Sequence, residues 1–133
     1  MILKSMNIKN FRSYYGDNTF EFSQGLTLII GDNGDGKTTF FEALEWLFDT
    51  ATENKSATNI SEKRKSEMEI GEVDEVVVSL VFDHDGIIKI EKSFSFEKEA
   101  ENSARTFDYK FIGYEDRGSE RLSRNGKQLL EAC

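Results

Sequence analysis

The amino-acid sequence predicts an α/β fold, in which a mixed sheet with one helix after a glycine-rich loop continues into an antiparallel β-subdomain. Three observations support this prediction. A compact apolar run at residues 26–30 stands directly before the loop, and an amphipathic pattern follows it at residues 37–48. Two alternating segments, residues 76–82 and 88–96, flank a turn. The 133 residues are enough to bury one hydrophobic core.

The strands before the loop are predicted from short alternating patterns. Residues 2–9 indicate a first strand, residues 15–18 a turn, and residues 19–22 a short second strand. The run Leu-Thr-Leu-Ile-Ile at residues 26–30 is typical of a strand that is buried on both faces.

The segment after the loop predicts a helix over residues 37–48 and then an exposed insertion. Trp46 lies off the apolar stripe of this helix, and the sequence leaves its exposure open. Residues 50–70 are polar and mixed in charge, which predicts a mobile insertion. Its Glu-Lys-Arg-Lys run (62–65) is interpreted as a solvated loop, with a contact to DNA phosphates as the alternative. The stripe consists of Phe40, Phe41, Leu44, Leu47 and Phe48.

The second half of the chain predicts a β-hairpin with a tight turn at residues 83–86. The further predicted elements are a polar break at 97–105, a strand at 107–111, a turn at 115–119, a short strand, a turn at 125–126 and the start of a helix at 127–133.

Composition excludes several classes of protein. The net charge of −8 argues against non-specific binding of nucleic acid by this chain alone. One cysteine, Cys133, cannot form an internal disulfide, and one histidine leaves too few ligands for a zinc site. No apolar run approaches the ~18 residues of a membrane span, and the first residues lack the apolar block of a signal peptide. We therefore expect a cytoplasmic protein.

The glycine-rich loop carries the clearest chemistry. Residues 31–38, Gly-Asp-Asn-Gly-Asp-Gly-Lys-Thr, fit the pattern G-x-x-x-x-G-K-[ST] between a strand and a helix. Glycines let consecutive N–H groups converge on an anion, and the following helix directs its positive end to the same place. In this motif Lys37 reaches the β- and γ-phosphates and Thr38 offers its hydroxyl to Mg²⁺. The Asp35 carboxylate either points to solvent or weakens phosphate binding.

Two quoted segments resemble a known family. MNIKNFRSYYG (6–16) and FSQGLTLIIGDNGDGKTTFFEALEWLF (22–48) are similar to the N-terminal lobe of SMC-type and RecF/RecN-like ABC ATPases, including the double-strand-break repair ATPase of that class. The match covers roughly the first 50 residues. The later hairpin is compatible with the antiparallel β-subdomain of the family.

The resemblance implies a nucleotide site with ATP and Mg²⁺ as cofactors. Lys37 would be the catalytic residue, Thr38 the Mg²⁺ ligand, and Arg12 and Ser13 of the Phe-Arg-Ser step would lie near the phosphates. Asp35 departs from the small residue of the family. The implied nucleotide-binding residues are Arg12, Ser13, Asn33, Gly34, Asp35, Gly36, Lys37, Thr38 and Thr39.

The resemblance also implies that residues 1–133 are one lobe of a larger ATPase head. The Q-loop is expected shortly after Cys133. The signature motif and the Walker B acid with its catalytic glutamate are expected on a C-terminal lobe beyond a coiled coil, so we expect this chain alone to be inactive. ATP would join the head to a second head. DNA and a nuclease or accessory subunit are the expected partners, in DNA repair, chromosome maintenance or anti-phage defence.

Two other functions stay open at this point. A small stand-alone P-loop kinase or GTPase would need Asp83 as its Walker B acid, although the Asp-His-Asp-Gly turn favours a hairpin there. A non-catalytic module would use the loop only as an anion site. The segment LSRNGKQ (122–128) imitates a signature motif but lacks the paired glycines.

Overall fold

The computed structural model describes residues 2–22, 34–49, 57–83, 86–117 and 120–125, with residues 34–38, 116–117 and 120–125 described by their backbone alone. These ranges form one sheet with two helices on it. The elements are β1 (Ile2–Phe11), β2 (Tyr14–Glu21), α1 (Gly34–Phe48), a 3-10 turn (Ala57–Asn59), α2 (Glu62–Glu67), β3 (Val73–Asp83), β4 (Ile87–Ala100), β5 (Ser103–Arg117) and β6 (Glu120–Asn125).

The six described strands are ordered β2-β1-β3-β4-β5-β6, and each neighbouring pair is antiparallel. The strands β3 to β6 correspond to the predicted antiparallel β-subdomain, and β1 and β2, which precede the loop, belong to the same sheet. The strand predicted at residues 26–30 and the helix predicted at 127–133 lie outside the described residues. The mixed character of the sheet therefore stays a prediction.

The predicted hairpin is confirmed by the pairing of β3 with β4. Leu80 lies opposite Ile90 and Phe82 opposite Ile88, so the apolar side chains of both strands share one face. Asp83 ends β3, and its carboxylate accepts a hydrogen bond from the Gly86 N–H at 3.2 Å. Asp83 is thus a hairpin residue, as the turn pattern indicates.

Several predicted boundaries are wrong. The predicted polar break at 97–105 is mostly strand, because β4 extends to Ala100 and β5 begins at Ser103. The turn predicted at 115–119 is replaced up to Arg117 by β5, and the first turn lies at Arg12-Ser13 instead of residues 15–18. In each case hydrogen bonding to the neighbouring strand outweighs a polar local sequence.

Helix α1 packs on the sheet with a face that overlaps the predicted stripe only in part, at Phe40, Leu44 and Leu47. Its buried apolar residues are Phe40, Ala43, Trp46 and Leu47. Phe41 and Phe48, which the stripe includes, are instead 44% and 40% exposed. The Trp46 ring lies between two aromatic rings of the sheet, with centroid distances of 5.6 Å to Phe11 and 5.9 Å to Phe94.

Residues 57–68, for which the sequence predicts an exposed insertion, pack onto the same face of the sheet. We call them the docked segment. Ile60 and Met68 belong to the hydrophobic core, and Ile60 pairs with Phe11 through a β-bridge. Ser61 caps α2 by accepting a hydrogen bond from the Arg64 N–H at 3.3 Å. Lys65, in the run interpreted as a solvated loop, is buried.

Candidate functional site

The glycine-rich motif leads directly into helix α1. The helix begins at Gly34, so the second half of the motif, up to Thr38, forms its first turn. The N–H groups of a first helical turn have no partner within the helix and favour an anion. Asn33 and the first residues of the motif lie outside the described residues. Thr39, the next residue, is buried.

The Phe-Arg-Ser step forms the turn between β1 and β2 and directly follows a bulge at Asn10; we call residues 10–13 together the bulge. The pairing of β1 with β2 shifts register between Lys9 and Phe11. Asn10 and Arg12 adopt left-handed backbone conformations, with φ of 54° and 50°. Asparagine tolerates this region well, whereas arginine seldom occupies it without fixed neighbours.

Buried Asn10 fixes the shape of this bulge. Its Nδ2 donates to the Glu75 carbonyl at 3.1 Å, and its Oδ1 accepts from the Gly16 N–H at 2.9 Å. Its backbone carbonyl accepts from the Ser61 N–H at 2.8 Å. Asn10 thus joins the bulge to β2, β3 and the docked segment, a role that the sequence did not indicate.

The bulge places Ser13 beside Thr39 of helix α1, and both are predicted site residues. The Ser13 hydroxyl donates to Thr39 Oγ1 at 2.7 Å. Thr39 lies immediately after the first turn that contains Lys37 and Thr38. The step at residues 12–13 and the start of α1 are therefore neighbours, although 26 positions separate Ser13 from Thr39.

Arg12 is bound by two residues that the sequence analysis missed. Its Nη1 forms an ion pair with the Glu42 carboxylate, and its Nε donates to Asn59 Oδ1 at 3.0 Å. The Arg12 N–H also donates to the Asn59 carbonyl at 3.0 Å. Glu42 had a signal, because it is an acid inside the apolar stretch Phe-Phe-Glu-Ala-Leu, but nothing local distinguishes Asn59.

A cleft of about 230 Å³ opens beside this arginine. Two carboxylates of α1 and a third, from Asp49 just after the helix, contribute to its wall, and Arg12 supplies one positive charge. The cleft is thus acidic apart from the guanidinium. Its lining residues are Arg12, Glu42, Glu45, Trp46, Asp49 and Asn59.

The other end of α1 is held by a buried lysine. The ammonium of Lys92 on β4 donates to the carbonyls of Trp46 and Asp49, each at 2.6 Å. It also lies over the Phe111 ring at 4.7 Å. Burial lowers the pKa of Lys92 to about 8, while the negative charge of Asp49 acts in the opposite direction.

Two searches of the described residues gave no further site. No group of three or more His, Cys, Asp or Glu side chains within those ranges is arranged to hold a metal ion. None of the helices described has the length and apolar character needed to cross a membrane.

Comparison with known proteins agrees with this architecture. A family profile described as AAA domain matches residues 5–131. The DNA double-strand break repair Rad50 ATPase of Methanococcus maripaludis is 28% identical over the whole chain, which covers 11% of that protein.

Two other relatives match a shorter stretch. The chromosome partition protein Smc of Mycolicibacterium paratuberculosis is 40% identical over 47 residues, covering 35% of this chain and 4% of Smc. The DNA replication and repair protein RecF of Streptococcus uberis is 47% identical over 47 residues, covering 35% of this chain and 13% of RecF. The chain thus spans only a small part of the length of the curated relatives it matches.

Proposed function

The chain belongs to the AAA domain family, as an N-terminal region of the SMC-, RecF- and Rad50-like ABC ATPases, and from this membership we propose that it is the ATP-binding half of a DNA-associated ATPase head. The observation that best supports the proposal is the contact between Ser13 and Thr39 at 2.7 Å. It joins the Phe-Arg-Ser step to the helix that follows the glycine-rich loop, as a shared phosphate site requires.

In this proposal the first turn of α1 and the residues before it bind the phosphates of ATP. Lys37 contacts the β- and γ-phosphates, and Thr38 is the protein ligand of Mg²⁺, which prefers oxygen ligands. The start of α1 at Gly34 fits a bound phosphate, since the first N–H groups of a helix have no intrahelical partner and favour an anion. Mg²⁺, when bound, neutralises phosphate charge. The remaining proposed contacts are Arg12, Ser13, Asn33, Gly34, Asp35, Gly36 and Thr39.

Hydrolysis would need groups from elsewhere in the protein. Phosphoryl transfer depends mainly on positioning and charge neutralisation, and these 133 residues supply only the phosphate-binding half. We propose that a C-terminal lobe beyond a coiled coil supplies the signature motif, the Walker B acid and the catalytic glutamate, and that a Q-loop nearer to this segment completes the site. ATP would then hold this head against a second head and release it on hydrolysis.

The proposed setting is the maintenance of DNA. The names of the relatives refer to DNA double-strand break repair, chromosome partition, and DNA replication and repair. From the resemblance we also propose contacts with DNA and with a nuclease or accessory subunit. A cytoplasmic location and a role in anti-phage defence are further proposals on the same basis. The kinase or GTPase alternative loses its Walker B candidate, because Asp83 ends a hairpin strand.

The proposal is tested by replacing Lys37 with alanine in the full-length protein. We expect K37A to lose binding of a fluorescent ATP analogue with Mg²⁺ and to lose ATP-dependent dimerisation, because the point charge on the phosphates is gone. Fluorescence titration and light scattering after size-exclusion chromatography measure these effects. K110A, which removes an exposed lysine on β5, is the matched control. Unchanged binding by K37A would refute the proposal, and a preference for GTP would favour the GTPase alternative.

A further inference from the structure

The Arg12 guanidinium is held from two directions. Glu42 of α1 pairs with Nη1, and Asn59 of the docked segment accepts from Nε at 3.0 Å. Asn59 also accepts from the Arg12 backbone N–H at 3.0 Å, so it binds both the main chain and the side chain of Arg12. Asn59 itself is buried, which fixes the acceptor in place.

These contacts compensate for an unusual backbone conformation. Arg12 has φ of 50°, a region that costs a side-chain-bearing residue energy unless its surroundings fix it. An arginine held in one orientation also loses less conformational entropy when it later contacts an anion. The arrangement is therefore typical of a preorganised charge and differs from an arginine that moves freely on the surface.

We infer that Glu42 and Asn59 are positioning residues that hold Arg12 ready to contact the phosphates of the nucleotide, an inference that rests on the proposed function. Glu42 lies on α1 one turn beyond Thr39, whose hydroxyl accepts from Ser13 at 2.7 Å. The helix that begins at the phosphate loop therefore also fixes the arginine. Loop and arginine keep a constant relative position because both are attached to α1.

The docked segment supports Arg12 in this arrangement. Residues 57–61 supply Asn59, and Ser61 donates its N–H to the carbonyl of Asn10 in the bulge at 2.8 Å. The segment thus supports the bulge from the side opposite to β2. Arg12 is oriented by parts of the chain that are 30 and 47 residues away from it.

The direction in which nucleotide affinity changes when Glu42 is replaced distinguishes a positioning role from a purely electrostatic one. A carboxylate close to a bound phosphate repels it, so charge alone predicts that removal of Glu42 strengthens nucleotide binding. A positioning role predicts weaker nucleotide binding after removal of Glu42, because Arg12 then loses its fixed orientation. Glu45 provides a matched comparison, since it lines the same cleft on the same helix but is not among the described partners of Arg12.

The experiment compares E42A, N59A and E45A in the full-length protein by titration with a fluorescent ATP analogue and Mg²⁺. We expect E42A and N59A to bind about tenfold more weakly than wild type, and E45A to bind at least as tightly as wild type. E42Q keeps an acceptor oxygen for Nη1 and should recover most of the affinity. Tighter binding by E42A would show a charge effect and overturn the inference.

A double-mutant cycle tests whether Glu42 acts through Arg12. We expect R12A and R12A/E42A to have equal affinities, because no arginine is left to position. A further loss in the double variant, or wild-type affinity of E42A, would overturn the inference. If E42A fails to fold, N59A with R12A/N59A gives the same comparison. Wild-type binding by K37A would refute the proposed function itself, so the two failures are distinguishable.

Discussion

At the scale of the single residue, Lys92 places a positive charge in the interior, at the end of a helix. It is fully buried, and its ammonium donates to the carbonyls of Trp46 and Asp49 at 2.6 Å each. The last carbonyls of a helix lack intrahelical partners, and a cation is favourable beside them. Lys92 therefore fixes the end of α1 opposite to the proposed phosphate site, at the cost of burying a charge.

The free-energy cost of burying the charged form of Lys92 makes the stability of the protein dependent on pH. The pKa of Lys92 is lowered by burial from 10.5 to about 8, so between these values the folded chain binds fewer protons at Lys92 than the unfolded chain. Stability rises with pH wherever the unfolded state binds more protons. We therefore expect the free energy of unfolding of wild type, relative to K92M, to increase from pH 8 to pH 10.5.

Urea denaturation at several pH values measures this difference. K89M, which replaces a lysine on the opposite face of β4, is the matched control. If the difference in free energy of unfolding between wild type and K92M stays constant from pH 8 to pH 10.5, the lowered pKa of Lys92 is contradicted.

At the scale of the element, helix α1 has apolar residues on more than one side. The sheet selects the side with Trp46, which contacts Phe11 and Phe94, and leaves Phe41 half-exposed. Helical periodicity identifies apolar positions but not which neighbour covers them. The predicted stripe was wrong at Phe41 and Phe48 for this reason, and the burial of Trp46, which the sequence left open, was decided by the sheet.

Substitutions on the buried and exposed sides of α1 should lower the free energy of unfolding by different amounts. We expect W46A to lower the free energy of unfolding by about 3–5 kcal/mol, because it leaves a cavity between two rings. F41A should cost about 1 kcal/mol or less, since its ring is already partly in water. Chemical denaturation of both variants provides the comparison, and equal costs would show that the buried face is assigned incorrectly.

At the scale of the whole molecule, α1 and the docked segment cover one face of the antiparallel sheet. Arg64 connects the segment to β3 and the adjoining turn through hydrogen bonds to Asp74 at 2.6 Å and Glu72 at 2.9 Å, and it also pairs with Glu67 within α2 at 3.0 Å. Burial acts to raise the pKa of Asp74, but the hydrogen bonds from Arg64 and from the Glu75 N–H, together with the positive charges of Lys9 and Arg64, outweigh it and hold that pKa below its usual range. The charges thus stabilise the docked arrangement.

Removal of the Arg64 side chain should make local opening of the docked segment more frequent while the sheet stays folded. We expect R64A to increase amide hydrogen exchange at residues 59–65 about tenfold, because several charge-assisted hydrogen bonds are lost together. Amides of β3 and β4 should exchange as in wild type, measured by mass spectrometry. R105A, which removes an exposed arginine paired with Glu97 and Glu99, is the control. Equal exchange in R64A and wild type would argue against a docked segment held by Arg64.

Local patterns were enough to predict the glycine-rich motif, the helix that follows it and the β3–β4 hairpin. Each depends on residues that are close in sequence: glycines before a helix, a 3.6-residue period, or two alternating runs around a turn. The tertiary structure decided which face of α1 is buried, that residues 57–68 dock, and that Glu42 and Asn59 bind Arg12. These outcomes depend on contacts across 30 or more positions, and a local pattern carries no information on which distant partner completes a hydrogen bond or covers an apolar face.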